Sequence, residues 1–323
     1  MKHQTTRSTI FDLHGVPAFN QAFPLALQHV VAMIVGCVTP AIIVSGVAGL
    51  SEADSVVLIQ AALVTSALST LLQLFPFIKT RYFAIGSGLP VIMGISFAYV
   101  PSMQSIAAEY DVAAILGAMI VGGAVAVFVG LFIRSIRRFF PPLITGTVVF
   151  TIGLSLYPTA INYMAGGTGS KDYGSWQNWT VAIFTLIVVT VLNHFAKGFL
   201  KLASILIGMI AGYIFSSFFG MVSFSNVAQA GVFQLPEVMH FGIEFEPSAC
   251  VALGLLFVIN SVQAIGDFSA TTAGGLDREP TTGELHGAIL GYGVSNILGA
   301  FLGCLPTATY SQNVGIVATT KVV

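Results

Sequence analysis

A chain of 323 residues that is 55% hydrophobic and only 8% charged falls outside the range of soluble proteins and within that of polytopic membrane proteins. Its net charge of -1, with no basic patch, gives no footing for nucleic acid. Cys37, Cys250 and Cys304 each lie inside an apolar run, in no paired or metal-ligand spacing, so neither a disulfide framework nor a zinc site is implied.

The first 20 or so residues are polar and mixed and lack the apolar core and small-residue end of a cleavable signal. The first span is therefore expected to act as its own insertion signal, leaving the amino terminus cytoplasmic. Windows of about 20 apolar residues predict spans near 24–49, 55–77, 82–100, 112–133, 142–160, 179–196, 202–221, 249–270 and 285–304, with a tenth beginning near 306. In that arrangement every Lys and Arg before the tenth span falls on a cytoplasmic segment except Lys171, as positive-inside topology requires.

Span one carries Gln28-His29 ahead of a long apolar run, with Thr39-Pro40 midway. A lone His there either bridges helices or, as a titratable group, takes part in proton coupling. Span three opens Tyr82-Phe-Ala-Ile-Gly86-Ser-Gly88-Leu-Pro90, whose glycines and proline predict a disturbed helix, and continues to Ser96-Phe97. Phe97 offers an aromatic face for stacking. The longer loops, 161–178 and 222–248, carry no catalytic constellation. The small-xxx-small spacings Gly208/Gly212 and Gly299/Gly303 predict close helix packing.

Span eight reads Asn260-Ser-Val-Gln263-Ala-Ile-Gly266-Asp267-Phe-Ser-Ala-Thr271, with its polar residues three, four and four apart, which places them on one helical face. Asp267 is the carboxylate placed well within a span, and an intramembrane acid is a functional-site hypothesis or is tied to neighbouring helices. Gln263 offers both a carbonyl and an amide, the complement of a cyclic imide or lactam. The last stretch, Pro306 to Val322, holds Gln312, Asn313, Gly315, several Thr including Thr320, and Lys321 where a span would be apolar. Broken, polar backbone at that depth is tolerated only where it lines a cavity or is buried in protein, so the stretch reads as half of a solute site.

The run Gln312-Asn313-Val-Gly315-Ile-Val-Ala-Thr-Thr320-Lys321-Val322 resembles the signature of the nucleobase–ascorbate transporter family, the second nucleobase:cation symporter group. Gln28-His29, Phe97, Gly153-Leu-Ser-Leu and Gln263-Ala-Ile-Gly-Asp267 extend that resemblance along the chain. It implies an all-α polytopic fold of fourteen spans in two inverted seven-span repeats, divided into core and gate. On this chain the division is a cytoplasmic amino terminus (1–23), core spans one to four (24–133), gate spans five to seven (134–221), an extracellular loop (222–248) and core spans eight to ten (249–323). By length the chain is expected to be truncated within span ten, and alone it should not transport.

The resemblance further implies a secondary transporter of the cell inner membrane that imports a nucleobase by proton symport and alternating access, with no cofactor, and with a homodimer as the assembly common in the family. Gln312 would contact the base with Asn313 supporting it, Phe97 would stack on the ring beside Ser96, and Asp267 and His29 would support the site or its coupling. Gln263 stands where the family usually has a glutamate, which leaves the pairing pattern open and shifts coupling toward Asp267. Gln at 312 resembles the purine branch, xanthine or urate, more than the uracil branch. The alternatives are a uracil permease of the same family and a sulfate-type anion transporter of the same architecture. A membrane enzyme is not favoured, because no nucleophile–base spacing or paired-His motif occurs in the spans.

Overall fold

The computed structural model describes residues 13, 15, 18–76, 78, 79, 84–133, 142–167, 170–222 and 237–322. The charges at Lys2, Arg7, Arg81, Arg134, Arg137 and Arg138, used above for orientation, lie outside the described residues, as does most of the 222–248 loop. In chain order the elements are α1 (Phe19–Val47), α2 (Glu52–Leu74), the paired strands β1 (Ile78–Lys79) and β2 (Ala84–Ile85), strand β3 (Met93–Ile95), a 3₁₀ turn (Phe97–Tyr99), α3 (Val100–Glu109) and α4 (Val112–Leu131). There follow α5 (Pro142–Ser155), α6 (Tyr157–Met164), α7 (Trp176–Phe195), α8 (Phe199–Leu202) and α9 (Ser204–Ser217). The last are α10 (Pro247–Leu276), α11 (Thr282–Phe301), strand β4 (Thr307–Thr309) and α12 (Ser311–Thr320). Contacts divide the chain into two compact units, residues 1–150 with 237–323, and residues 151–236.

Among the described residues five helices, α1, α2, α4, α7 and α10, are long and apolar enough to cross a membrane. Predicted span three departs most from a plain helix: its first half is extended, and the helix starts near residue 100, where the span was expected to end. The two short strands β2 and β3 are followed, after the 3₁₀ turn, by the ten-residue helix α3. Predicted span five is interrupted at Leu156, because Pro158 cannot donate to the carbonyl of the preceding turn and serves instead in the first turn of α6.

Side chains fix the helix ends. Ser51 accepts from Asp54 N at the start of α2, and Asp111 accepts from Ala114 N at the start of α4. Thr281 and Glu284 form a capping box on α11, and Arg278 grips the same Glu284 with both guanidinium nitrogens, at 2.9 and 2.6 Å. Between α9 and α10, His240 bridges Glu237 and Asp54 at 2.6 and 2.8 Å, so hydrogen bonds to these carboxylates, Asp54 first, hold its imidazole above the usual range.

Helix α4 is the centre of the first unit: it packs on α10 and α11 and is buried over most of its length. In lipid no hydrophobic force separates helix from tail, so close backbone packing must supply the attraction. Gly123 and Gly293 do so reciprocally: a Cβ on Gly123 would lie 2.8 Å from Gly293 O, and one on Gly293 2.7 Å from Gly123 O. Gly293→Ala is therefore expected to lower the melting temperature of detergent-solubilised protein by several degrees, the result of about 1–3 kcal/mol of overpacking; an unchanged melting curve would contradict the packing. In the second unit Gly208 and Gly212 seat α9 against Val189 and Thr185 of α7, as the small-xxx-small spacing predicts.

Candidate functional site

Strands β3 and β4 pair antiparallel, with Met93 opposite Thr309, Gly94 opposite Ala308 and Ile95 opposite Thr307, and all six residues are buried. A two-stranded ribbon within apolar helices leaves two open edges, and each unpaired N–H or C=O there would cost several kcal/mol. Side chains close both. Thr70 Oγ1 of α2 accepts from Met93 N at 3.0 Å, while Asn296 of α11 accepts from Thr307 N at 2.8 Å and donates to Thr307 O at 3.3 Å. Sequence reasoning missed both residues. Their only signal is a polar side chain within an apolar span, and such groups more often bond their own helix.

Each strand feeds a half-helix. β3 leads through the 3₁₀ turn into α3, and β4 leads through Tyr310 into α12, so two helix starts, with their first-turn N–H groups and positive dipole ends, flank the ribbon. Tyr310 is buried and wedges between α1 and β3: its hydroxyl donates to Ile95 O at 2.8 Å, and a Cβ on Gly94 would stand 2.5 Å from its ring. Behind the other start, Tyr99 and Tyr292 hydrogen bond through their hydroxyls, with Phe257 of α10 packed on both rings at 5.0 and 5.6 Å.

Asp267 faces this junction from α10. Its carboxylate accepts from Thr309 Oγ1 and, at 2.7 Å, from Ser311 Oγ, and the half-buried Gln263 lies one turn before it on the same helix. One buried acid thus joins the last residue of β4 and the first residue of α12, one turn from the amide expected to meet a solute. Thr309 and Ser311 were not singled out from sequence; the polar density of the last stretch was the available signal.

The remaining predicted residues distribute as follows. Gln312 is exposed beside Ser311, with Nε2 3.5 Å from where a Cβ on Gly36 of α1 would stand. Asn313 is buried and donates from Nδ2 to His29 Nδ1 at 3.0 Å and His29 O at 3.1 Å, tying α12 to α1. Ser96 is buried, and its Oγ accepts from Ala98 N at 3.2 Å, capping the turn that carries the half-buried Phe97. That turn packs against α10. Of the other polar residues on α10, Asn260 donates to Leu256 O and Thr271 to Asp267 O, so their donors are used within the helix.

The arrangement offers an exposed amide at a helix start, a second, half-buried amide one turn before a carboxylate, and a half-buried aromatic ring one strand away. Such groups suit a planar, neutral solute with both N–H and C=O edges, which each glutamine can pair in two directions.

Among known proteins, the model of the Permease family matches residues 20–323. The uric acid permease PucK of Bacillus subtilis is 38% identical over 302 residues, covering 93% of this chain and 69% of that protein. The xanthine permease of the same organism is 34% identical, covering 94% of this chain and 68% of its own length. Xanthine permease XanQ of Escherichia coli K12 is 31% identical, covering 97% and 69%. Among solved structures, the transmembrane domain of the cyanobacterial bicarbonate transporter BicA superposes with a TM-score of 0.62 at 13% identity, covering 94% of this chain and 78% of that one.

Proposed function

Because the chain belongs to the Permease family and has a polytopic transporter fold, we propose that it is a secondary carrier that imports an oxidised purine, xanthine or urate, by proton symport. Relatives that are xanthine and uric acid permeases support the substrate class. The observation that carries the reading is the junction where Asp267 holds Thr309 and Ser311 together, one turn after Gln263 and next to the exposed Gln312. In this reading Gln312 and Gln263 pair with the imide edges of the base and Phe97 stacks on its ring. A site that hydrogen bonds its ligand on several edges rejects analogues lacking them, because buried polar groups are then left unpaired.

Asp267 supplies a route to coupling. Ionised, it accepts from both hydroxyls; protonated, it becomes a donor on one oxygen, so one of Thr309 and Ser311 must turn round or let go. Proton binding then changes the grip on the start of α12, which bears Gln312. Alternating access by the unit that holds the site, as core, with the second unit as part of the gate, and a plasma-membrane location complete the proposal. The BicA likeness supports the fold alone. An inorganic-anion carrier would favour cationic contacts, whereas the groups gathered at this junction are amides, hydroxyls, a carboxylate and an imidazole.

The test is uptake of labelled xanthine by cells expressing the complete reading frame, with urate, guanine and uracil as competitors and a protonophore control. The proposal predicts saturable uptake, competed by urate and abolished by the protonophore. Competition by uracil alone would move the protein to the pyrimidine branch, and no uptake of any base by a well-expressed protein would overturn the reading.

A further inference from the structure

A groove of about 320 Å³ opens between α3 and the start of α10, away from the strand ribbon. Ser102, Ser105 and Glu109 line it from α3, Ser248 and Ala252 from α10, and at its rim Tyr110 and Ser248 hydrogen bond through their hydroxyls at 3.2 Å. Polar groups gathered in a concavity at the end of two apolar helices are placed for a solute rather than for lipid. Its position relative to the site follows from helix geometry. Residues 248, 252, 259 and 263 share one face of α10, and this face stays unburied from Ser248 through Ala252 and Ile259 to the half-buried Gln263. On α3 the matching face runs from Glu109 through Ser105 and Ser102 back to Ala98, next to Phe97. At 1.5 Å per residue Ser248 and Ala252 lie roughly 16–22 Å from Gln263 along α10, while on α3 the groove begins within one to two turns of Phe97. The groove and the site thus share unburied faces of α3 and α10, with an apolar neck of helix surface between them.

We infer that this groove is a vestibule in which the purine docks before it reaches the central site, an inference that rests on the substrate class proposed above. Glu109 accepts from ring N–H groups, the serine hydroxyls donate to the ring carbonyls, and the apolar neck passes a flat ring without holding it. The residues are water-accessible, so their contacts are weak and govern capture rather than turnover.

The test uses the full reading frame in a Cys250→Ala background, with xanthine uptake measured before and after treatment with N-ethylmaleimide, which crosses membranes and so reaches the groove from either side. The maleimide adduct on the Ala252→Cys variant is expected to cut uptake several-fold, and xanthine is expected to slow its formation. In a separate variant, Glu109→Gln, KM should rise roughly threefold to fivefold with the maximal rate unchanged, the scale of one solvent-accessible charged hydrogen bond. Full labelling of the Ala252→Cys variant with uptake intact, or an unchanged KM in Glu109→Gln, would overturn the vestibule while leaving the carrier standing. Absence of uptake in the unlabelled parent would instead overturn the purine reading, and the vestibule with it.

Discussion

Asp267→Asn is expected to reduce xanthine uptake per copy of protein by on the order of 100-fold, because two hydrogen bonds to a charged acceptor, each worth about 1.5–3 kcal/mol, are weakened together. The asparagine fills the same space, but it has one acceptor oxygen where Thr309 and Ser311 now share two, and its amide faces a hydroxyl. The start of α12, and with it Gln312, then loses its fixed position relative to Gln263. The variant also removes the proposed proton-binding group, so its residual uptake should no longer respond to a protonophore. Uptake within about twofold of wild type, still sensitive to the protonophore, would contradict the role of Asp267.

Gly94→Ala should be nearly as damaging, though it touches no solute. A Cβ at this position would lie 2.5, 2.6 and 2.8 Å from Cζ, the hydroxyl oxygen and Cε2 of Tyr310, distances no packed side chain tolerates. Tyr310 is enclosed and bonded to Ile95 O, so either its ring leaves the wedge or the β3–β4 pair opens. Overpacking of about 1–3 kcal/mol plus a lost hydrogen bond of about 1 kcal/mol predicts a fall in uptake of at least about tenfold. Tyr310→Phe, which loses the bond alone, should cost only several-fold. Equal uptake by Gly94→Ala and wild type would show that the ribbon does not set the site.

The broken span three and the face of α10 were legible in the sequence because they break or obey a period: Gly86, Gly88 and Pro90 deny a helix, and Gln263 and Asp267 recur at four residues. The residue-by-residue register of β3 on β4 was not legible. Three-residue strands carry no usable alternation, and Met93 pairs with Thr309 across more than two hundred residues of chain. The polar face of α10 was also only half informative, since Asn260 and Thr271 turn their donors back to their own helix whereas Asp267 reaches to β4 and α12. Periodicity reports which side a residue is on and not whether its hydrogen bonds are spent locally. Thr70, Asn296 and Tyr292 escaped for the same reason. Each is one polar group in an apolar helix, and its purpose emerges only with the strand or turn it satisfies.

The proposed site places a purine against Gln312 at the start of α12. The most direct measurement is binding of labelled xanthine to the purified protein in lipid nanodiscs, for wild type and Gln312→Ala. Wild type is expected to bind xanthine saturably, with urate displacing it, and the variant to lose affinity at least about tenfold, the cost of leaving the ligand edge unpaired. Equal affinity in the two proteins would contradict it and place the ligand elsewhere.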